Sequence, residues 1–125
     1  MAYAKELVGV GLPPGTAAGV GGQYNAVTAA GSAITDAAAV TASLGIVAGA
    51  DGTKGVYLVG QVGDSVTLFN NSGSTLKVYG DSSSVAIAVP GTGLGTAGTA
   101  FSHLTYKVVT YTKVTSTQWF PNVTA

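Results

Sequence analysis

An all-β domain is what this sequence predicts, a single small β-sandwich, jelly-roll-like or barrel domain with a short, partly helical N-terminal arm. Two observations carry that expectation. Short runs rich in Val, Thr, Tyr and Leu recur between Gly, Pro, Asn and Asp punctuation, the pattern of closely spaced strands. The chain has 125 residues, 46% of them hydrophobic and 8% charged, enough for one core and little more. The organisation implied is an arm over residues 1–22 and a β-domain over residues 23–125.

In the arm, Leu7, Val8, Val10 and Leu12 lead into Pro13-Pro14-Gly15, and Gly19, Gly21 and Gly22 form its exit. Paired prolines forbid one continuous helix. Residues 4–10 have the length for about two helical turns and 16–20 for about one more, each too short to stand alone in water. The segment must therefore lean on the body or on a neighbouring subunit.

Beyond it, Tyr24, Ala26 and Thr28 alternate against Asn25, Val27 and Ala29, as a strand requires. Thr35-Asp36 ahead of Ala37-Ala38-Ala39 offers an N-cap for one helical turn, but the β-branched Val40 and Thr41 disfavour its continuation. Residues 33–43 are thus ambiguous, leaning to strand, and 44–48 form a strand. After the turn dipeptide Asp51-Gly52, strands are expected at 55–59, 65–70 and 75–79. The last two, joined by Asn70-Asn71-Ser72-Gly73-Ser74, read as a hairpin. In it Val66 and Leu68 share a face with Leu76 and Val78, while Thr67, Lys77 and Tyr79 point the other way. Residues 85–89 form a strand stopped by Pro90-Gly91, and a glycine-rich loop covers 91–98. Strands follow at 101–104 and 106–113, a turn at Val114-Thr115-Ser116, and a last strand at 117–120 before Pro121 ends the pairing. No repeat of constant period is visible.

Charge excludes several function classes. The five cations, Lys5, Lys54, Lys77, Lys107 and Lys113, are scattered and balanced by five acids, so there is no basic stripe to displace counterions from nucleic acid. Disorder is excluded by the high apolar content and zero net charge. A neutral, hydrophobic chain of this size is poorly protected against association, which assembly would resolve. No run approaches the ~20 apolar residues of a membrane span, and Lys5 and Glu6 interrupt the opening where a signal peptide is apolar. Neither secretion nor a membrane anchor is expected, so the sequons Asn70-Asn71-Ser72 and Asn122-Val123-Thr124 carry no consequence. With no cysteine, disulfides, thiolate metal sites and thiol chemistry are ruled out.

The chemical motifs fail their own requirements. Gly93-x-Gly95-x-x-Gly98 matches a dinucleotide fingerprint, which needs a strand before it and a helix beginning within it; here Pro90-Gly91 precedes and Thr99-Ala100-Phe101 follows. Gly63-Asp64-Ser65 resembles a serine-hydrolase block, but the single histidine, His103, sits in an alternating apolar strand with no acid near it in sequence. Glu6, Asp36, Asp51, Asp64 and Asp81 form no paired or metal-ligand spacing, and Asp51, Asp64 and Asp81 adjoin Gly or Ser as turn caps do. Tyr106, Tyr111, Trp119 and Phe120 fit a core or a subunit contact better than a stacking platform. No enzyme activity, cofactor or metal is expected.

The stretch Val62-Gly63-Asp64-Ser65-Val66-Thr67-Leu68-Phe69-Asn70-Asn71-Ser72-Gly73, followed by Leu76-Lys77-Val78-Tyr79-Gly80, resembles a block of small β-rich structural proteins of tailed bacteriophages. The ending, a strand leading into Ser116-Thr117-Gln118-Trp119-Phe120, resembles theirs as well, and so does the leader Glu6-Leu7-Val8 through Gly11-Leu12-Pro13-Pro14. The resemblance implies a virion component made in the host cytoplasm: a capsid decoration (cement) protein that sits as a homotrimer on the outer face of the major capsid protein. A head- or tail-fibre module binding a host receptor or glycan is the alternative it leaves open. Leu7, Val8, Leu12, Pro13, Pro14 and Tyr24 are the expected capsid or subunit contacts, with adhesion through many weak apolar and main-chain contacts rather than charge.

Overall fold

The computed structural model describes residues 24–90 and 92–123, and among these the chain is all-β with no helix. The strands are β1 (Tyr24–Thr28), β2 (Ala38–Val40), β3 (Leu44–Ala48), β4 (Gly55–Leu58), β5 (Ser65–Asn70), β6 (Leu76–Tyr79), β7 (Ala86–Ile87), β8 (Phe101–His103), β9 (Val108–Thr115) and β10 (Gln118–Val123). A six-stranded sheet has the order β1-β3-β5-β9-β10-β7, and a four-stranded sheet the order β2-β4-β6-β8.

As far as β6 the chain changes sheet after every strand. β1, β3 and β5 stack in parallel in the first sheet, β2, β4 and β6 in the second, so each coil of chain lays one strand on either side of a common core. Parallel neighbours need a crossover rather than a tight turn, and here the crossover contains a strand of the opposite sheet. A coil takes about twenty residues, as in short solenoid repeats. Tyr24 lies beside Leu44 and Leu44 beside Thr67, while Ala38 lies beside Val56 and Gly55 beside Lys77. Corners of unequal length put the coils out of step, which hides the repeat from a search for constant period.

The expected hairpin of residues 65–70 and 75–79 is overturned. Both segments are strands, but β5 and β6 belong to different sheets. The intervening corner lies along the corner of the preceding coil instead of folding back. Asn71 N donates to Val47 O at 2.8 Å, Gly52 N to Thr75 O at 3.1 Å and Ala50 N to the Ser72 hydroxyl at 3.2 Å. The inward set is nevertheless right: Val66, Leu68, Leu76 and Val78 are all buried, and they meet from opposite sheets.

Other expectations are corrected in the same way. Parallel pairing predominates, so the connectivity is neither that of a jelly roll nor that of an up-and-down barrel. Asp36 caps no helix; its Oδ1 accepts from Ser32 N and Ala33 N, closing a turn backward, and only Ala38–Val40 of 33–43 is strand. β9 continues through Thr115, and β10 continues through Pro121, which sits opposite Tyr111. The carbonyls of Thr117 and Trp119 face β7, so by the two-residue period the imide nitrogen of Pro121 faces the same side, past the end of β7, where no ladder bond is lost. The arm over residues 1–22 lies outside the described residues.

Behind β6 the chain stops coiling. β9 pairs antiparallel with β5 and β8 antiparallel with β6, covering edges that further coils would otherwise extend. The core between the sheets includes Val40, Val47, Leu58, Leu68, Tyr111 and Trp119, none with measurable exposure. Full burial of each aliphatic member contributes about 1.5–3 kcal/mol. Lys113, pointing inward from β9, is the exception in kind. Its ammonium donates to Asp81 Oδ2 at 2.8 Å and to Gly60 O at 3.2 Å, and it lies 5.9 Å from the centre of the Trp119 ring. Trp119 Nε1 donates to the other carboxylate oxygen of Asp81 at 3.4 Å. A buried ammonium is tolerated only with such partners.

Three substitutions test this packing. A Cβ on Gly55 would lie 2.7 Å from the Lys77 carbonyl oxygen and 2.9 Å from the Tyr79 ring, so Gly55→Ala is expected to cost about 1–3 kcal/mol in urea unfolding. At Gly73 a Cβ meets nothing within 4 Å, and Gly73→Ala should stay within about 0.5 kcal/mol of the parent; equal values for the two variants would contradict the close coil stacking. Asp81→Asn strips the charge partner from Lys113, and because Asp81 keeps some contact with water the expected loss is about 1–3 kcal/mol.

Candidate interaction surface

Of the residues the sequence nominated for contacts, Leu7, Val8, Leu12, Pro13 and Pro14 lie outside the described residues. Tyr24 opens β1 at the margin of the six-stranded sheet, beside Leu44; its side chain is likewise outside the description. The structure instead assembles a surface from residues the sequence did not nominate, Phe120 excepted.

Alternation along β1, β3, β5 and β9 sends every second side chain away from the core. Ala26, Ile46, Phe69 and Val108 are in register across four strands and make one apolar row on the outer face. Ile46 and Val108 are each 37% exposed. Beside this row the outward hydroxyls are paired with each other: Thr67 Oγ1 with Thr110 Oγ1 at 3.0 Å, and Ser65 Oγ with Thr112 Oγ1 at 2.9 Å. Phe120 stands next to Thr112 on the same face, 40% exposed. None of the outward positions of β1, β3, β5, β9 or β10 is charged. Hydroxyls that already bond one another lose less when water is removed, so this face is suited to burial.

The outer face of the four-stranded sheet is different. Residues 31–37 loop over it, Tyr79 is buried there with its hydroxyl donating to Ser32 O at 3.3 Å, and Lys77 sets a charge on it. Burial, with Asp36 nearby as a second cause, raises the pKa of the Tyr79 phenol. Among the described residues, then, one outer face is partly covered by its own chain at Tyr79, and the other leaves Ile46, Val108 and Phe120 exposed.

The motifs with chemical overtones resolve into structure. Ser65 is on the outer face, bonded to Thr112, whereas His103 faces the core from β8 with no exposure. His103 Nε2 lies 2.6 Å from Lys107 O, which can only accept, so Nε2 carries the proton; Nδ1 then accepts from the Tyr111 hydroxyl at 2.9 Å. Both nitrogens are engaged, and His103 has none left to act as base for Ser65. Gly63-Asp64-Ser65 is a turn: Gly63 takes φ 96°, Gln61 N donates to Asp64 Oδ2 at 2.9 Å, and the segment bonds both ways with Lys113 of β9. Gly93, Gly95 and Gly98 lie in a loop tied to β7 and β10, with no helix. Asp51 Oδ1 accepts from Thr53 N, Thr53 Oγ1 and Lys54 N, and these bonds, the Thr53 hydroxyl first, lower its pKa to about 2. No group of acids and histidines among the described residues is arranged to hold a metal ion. Tyr111 and Trp119 are core residues; burial raises the Tyr111 phenol well above its ordinary range.

Asn70, read in sequence as the junction of a strand and its loop, is a buried node. Its Nδ2 donates to Ser74 O at 2.9 Å and to His103 O at 3.1 Å, joining the end of β5 to β8.

The described residues define a class: a small, all-β, two-sheet module with an uncharged, largely apolar and hydroxyl-bearing outer face on its six-stranded sheet. No protein family, curated protein or solved structure matches the chain.

Burial is the main reason that the His103 pKa lies below 6.5, the carbonyl of Lys107 opposing it. A depressed folded-state value means stability that is full above the unfolded pKa and falls as the pH drops below 6.5 toward the folded value. Titration of the imidazole C2 proton by NMR, unambiguous with one histidine, should give a midpoint below 6.5. A midpoint at or above the ordinary value would mean the ring is not buried as described.

Proposed function

We propose that this protein is a structural component of a tailed-bacteriophage virion, a decoration (cement) protein that adheres as a homotrimer to the major capsid protein and reinforces the head from outside. The observation that carries this reading is the bare face of the six-stranded sheet, apolar along Ala26, Ile46, Phe69 and Val108, hydroxyl-paired beside that row and free of charge. Such a face binds by shape and burial, and its modest area becomes effective when copies engage a lattice together. The sequence resemblance at residues 62–80 and 116–120 supports the same assignment. Leu7, Val8, Leu12, Pro13, Pro14 and Tyr24 remain the proposed contacts of the leading segment, at the β1 margin of that face.

A second reading, a fibre module that binds a host receptor or glycan, is favoured by one separate feature. A hollow of about 290 Å³ over the four-stranded sheet is lined by Tyr57, Thr35, Asp81, Ser82 and Ser83, an aromatic side chain beside hydroxyls and a carboxylate.

The oligomeric mass of the purified protein, alone and after mixing with undecorated capsids, separates the two. A trimer that co-sediments with capsids is expected. A monomer that ignores capsids and is retained on a glycan array would favour the fibre reading instead. Ile46→Asp and Ala26→Glu should each weaken co-sedimentation at least about tenfold, the effect of roughly 1.4 kcal/mol, while thermal melting stays near the parent's. Undiminished binding by both variants would remove this face from the interface.

A further inference from the structure

At the β10 margin the bare face runs into an apolar groove of about 400 Å³ lined by Val89, Pro90, Leu94, Phe120 and Pro121. Leu94 is 70% exposed, yet the loop that carries it is firmly built. Val89 and Gly93 exchange backbone bonds in both directions, at 2.9 and 3.0 Å. The Gln118 amide grips Gly95, accepting from its N–H at 3.2 Å and donating to its carbonyl at 3.4 Å. Gly95 has no room for a side chain, since a Cβ would collide with the backbone of Ile87. Val89, Leu94 and Phe120, all exposed around one groove, form a contiguous apolar patch of the kind that marks an interaction site.

We infer that this groove receives the leading segment of a neighbouring copy, centred on Leu12-Pro13-Pro14. The chemistry matches on both sides: grooves lined by aromatic and apolar side chains take up proline-bearing extended segments, whose fixed φ reduces the entropy lost on docking. Leu12-Pro13-Pro14 is the one paired-proline segment in the sequence, and no charged residue lies between Glu6 and Asp36. The ten residues from Pro14 to Tyr24 span up to about 33 Å, against about 19 Å from β1 to β10 across the sheet, so length alone allows the chain's own groove as well as a neighbour's. Docking on its own body would draw the segment across the strands, over Ile46 and Phe69. The backbone groups there are already used in the ladders, so along that path the segment would gain no strand partners, only water. Docking on a neighbour avoids that crossing. Donor and acceptor then belong to opposite margins of one sheet, a head-to-tail relation that gives a ring where the rotation closes, as a trimer requires. The inference rests on the self-association part of the decoration reading and not on capsid binding.

The absence of native cysteine makes cross-linking a direct test. Gly11→Cys chains are mixed with Thr92→Cys chains, without capsids, and treated with a short bismaleimide, which tolerates geometries a disulfide cannot span. Cross-linked pairs at twice the chain mass are expected, several-fold more abundant than when Asn71→Cys, at the far end of β5, replaces Thr92→Cys. Yields equal to that control overturn the inference. So does a Gly11→Cys/Thr92→Cys double variant that links only within its own chain. As an independent readout, Leu94→Lys should shift the protein toward monomer in sedimentation, and an unchanged mass would count against the groove. Cross-linked rings that fail to co-sediment with capsids would leave the inference intact and sink the decoration reading.

Discussion

The fold depends on one constraint, that the chain crosses the core between every strand and the next as far as β6. Each coil contributes one strand to each sheet, so every ladder bond in this part of the molecule joins residues distant in sequence. No strand pair is self-contained; β3 needs β1 and β5, and β4 needs β2 and β6. The corners obey the same rule, with Asn71 bonded to Val47 and Gly52 to Thr75. Glycine enters where coils come closest: at Gly45 a Cβ would lie 2.7 Å from Leu68 and 3.2 Å from Val40, so the two sheets approach through that position. Stability is spread over the stack, and an error in one coil's register is felt in its neighbours.

A stack of parallel coils has no natural end, and here an antiparallel unit supplies one. β8, β9 and β10 occupy both sheets, and the polar groups buried with them are matched to one another except for Asn70 Oδ1, which has no hydrogen-bond partner among the described residues. Phe101 meets Tyr111 edge-on across the sheets with ring centres 5.8 Å apart, and Tyr111 donates to His103. Asn70 fastens β5 to β8, and Lys113 is held by Asp81 and the Gly60 carbonyl. Each of these is costly to leave unpaired, so together they oppose alternative registers of the capping strands as much as they add stability.

Functional meaning follows from the asymmetry between the two outer faces. One is covered by residues 31–37 of the same chain; the other shows an apolar row, paired hydroxyls and no charge. Under the proposed reading, such a face in a neutral chain would adhere through fit and the number of copies engaged rather than through attraction at a distance. The groove at the β10 margin adjoins that face, so under the proposed reading contact among copies and contact with a lattice would draw on adjoining surfaces.

Strand identity was legible in the sequence because it rests on local chemistry. β-branched and aromatic runs between Gly, Asn, Asp and Pro located β3, β4, β5, β6, β8 and β9 to within a few residues, and the two-residue alternation found the inward set Val66, Leu68, Leu76 and Val78. The roles of Asp51-Gly52 and Gly63-Asp64 as turns were legible for the same reason, since an aspartate beside glycine closes its own loop. Pairing was not legible. Nothing in Asn70-Asn71-Ser72-Gly73-Ser74 distinguishes a hairpin loop from a corner lying on the previous corner, because the deciding partners, Val47, Ala50 and Gly52, come from another coil. The row of Ala26, Ile46, Phe69 and Val108 exists only through the registers of three strand pairs, and single-strand alternation says that these residues face away from the core but not that they adjoin. The sequence by itself determined the β class, the uncharged character and the inward residues, through interactions a few residues long. Tertiary structure alone decided which strands meet, which face stays bare and why His103 has no free nitrogen, because those outcomes depend on which distant segments share a ladder.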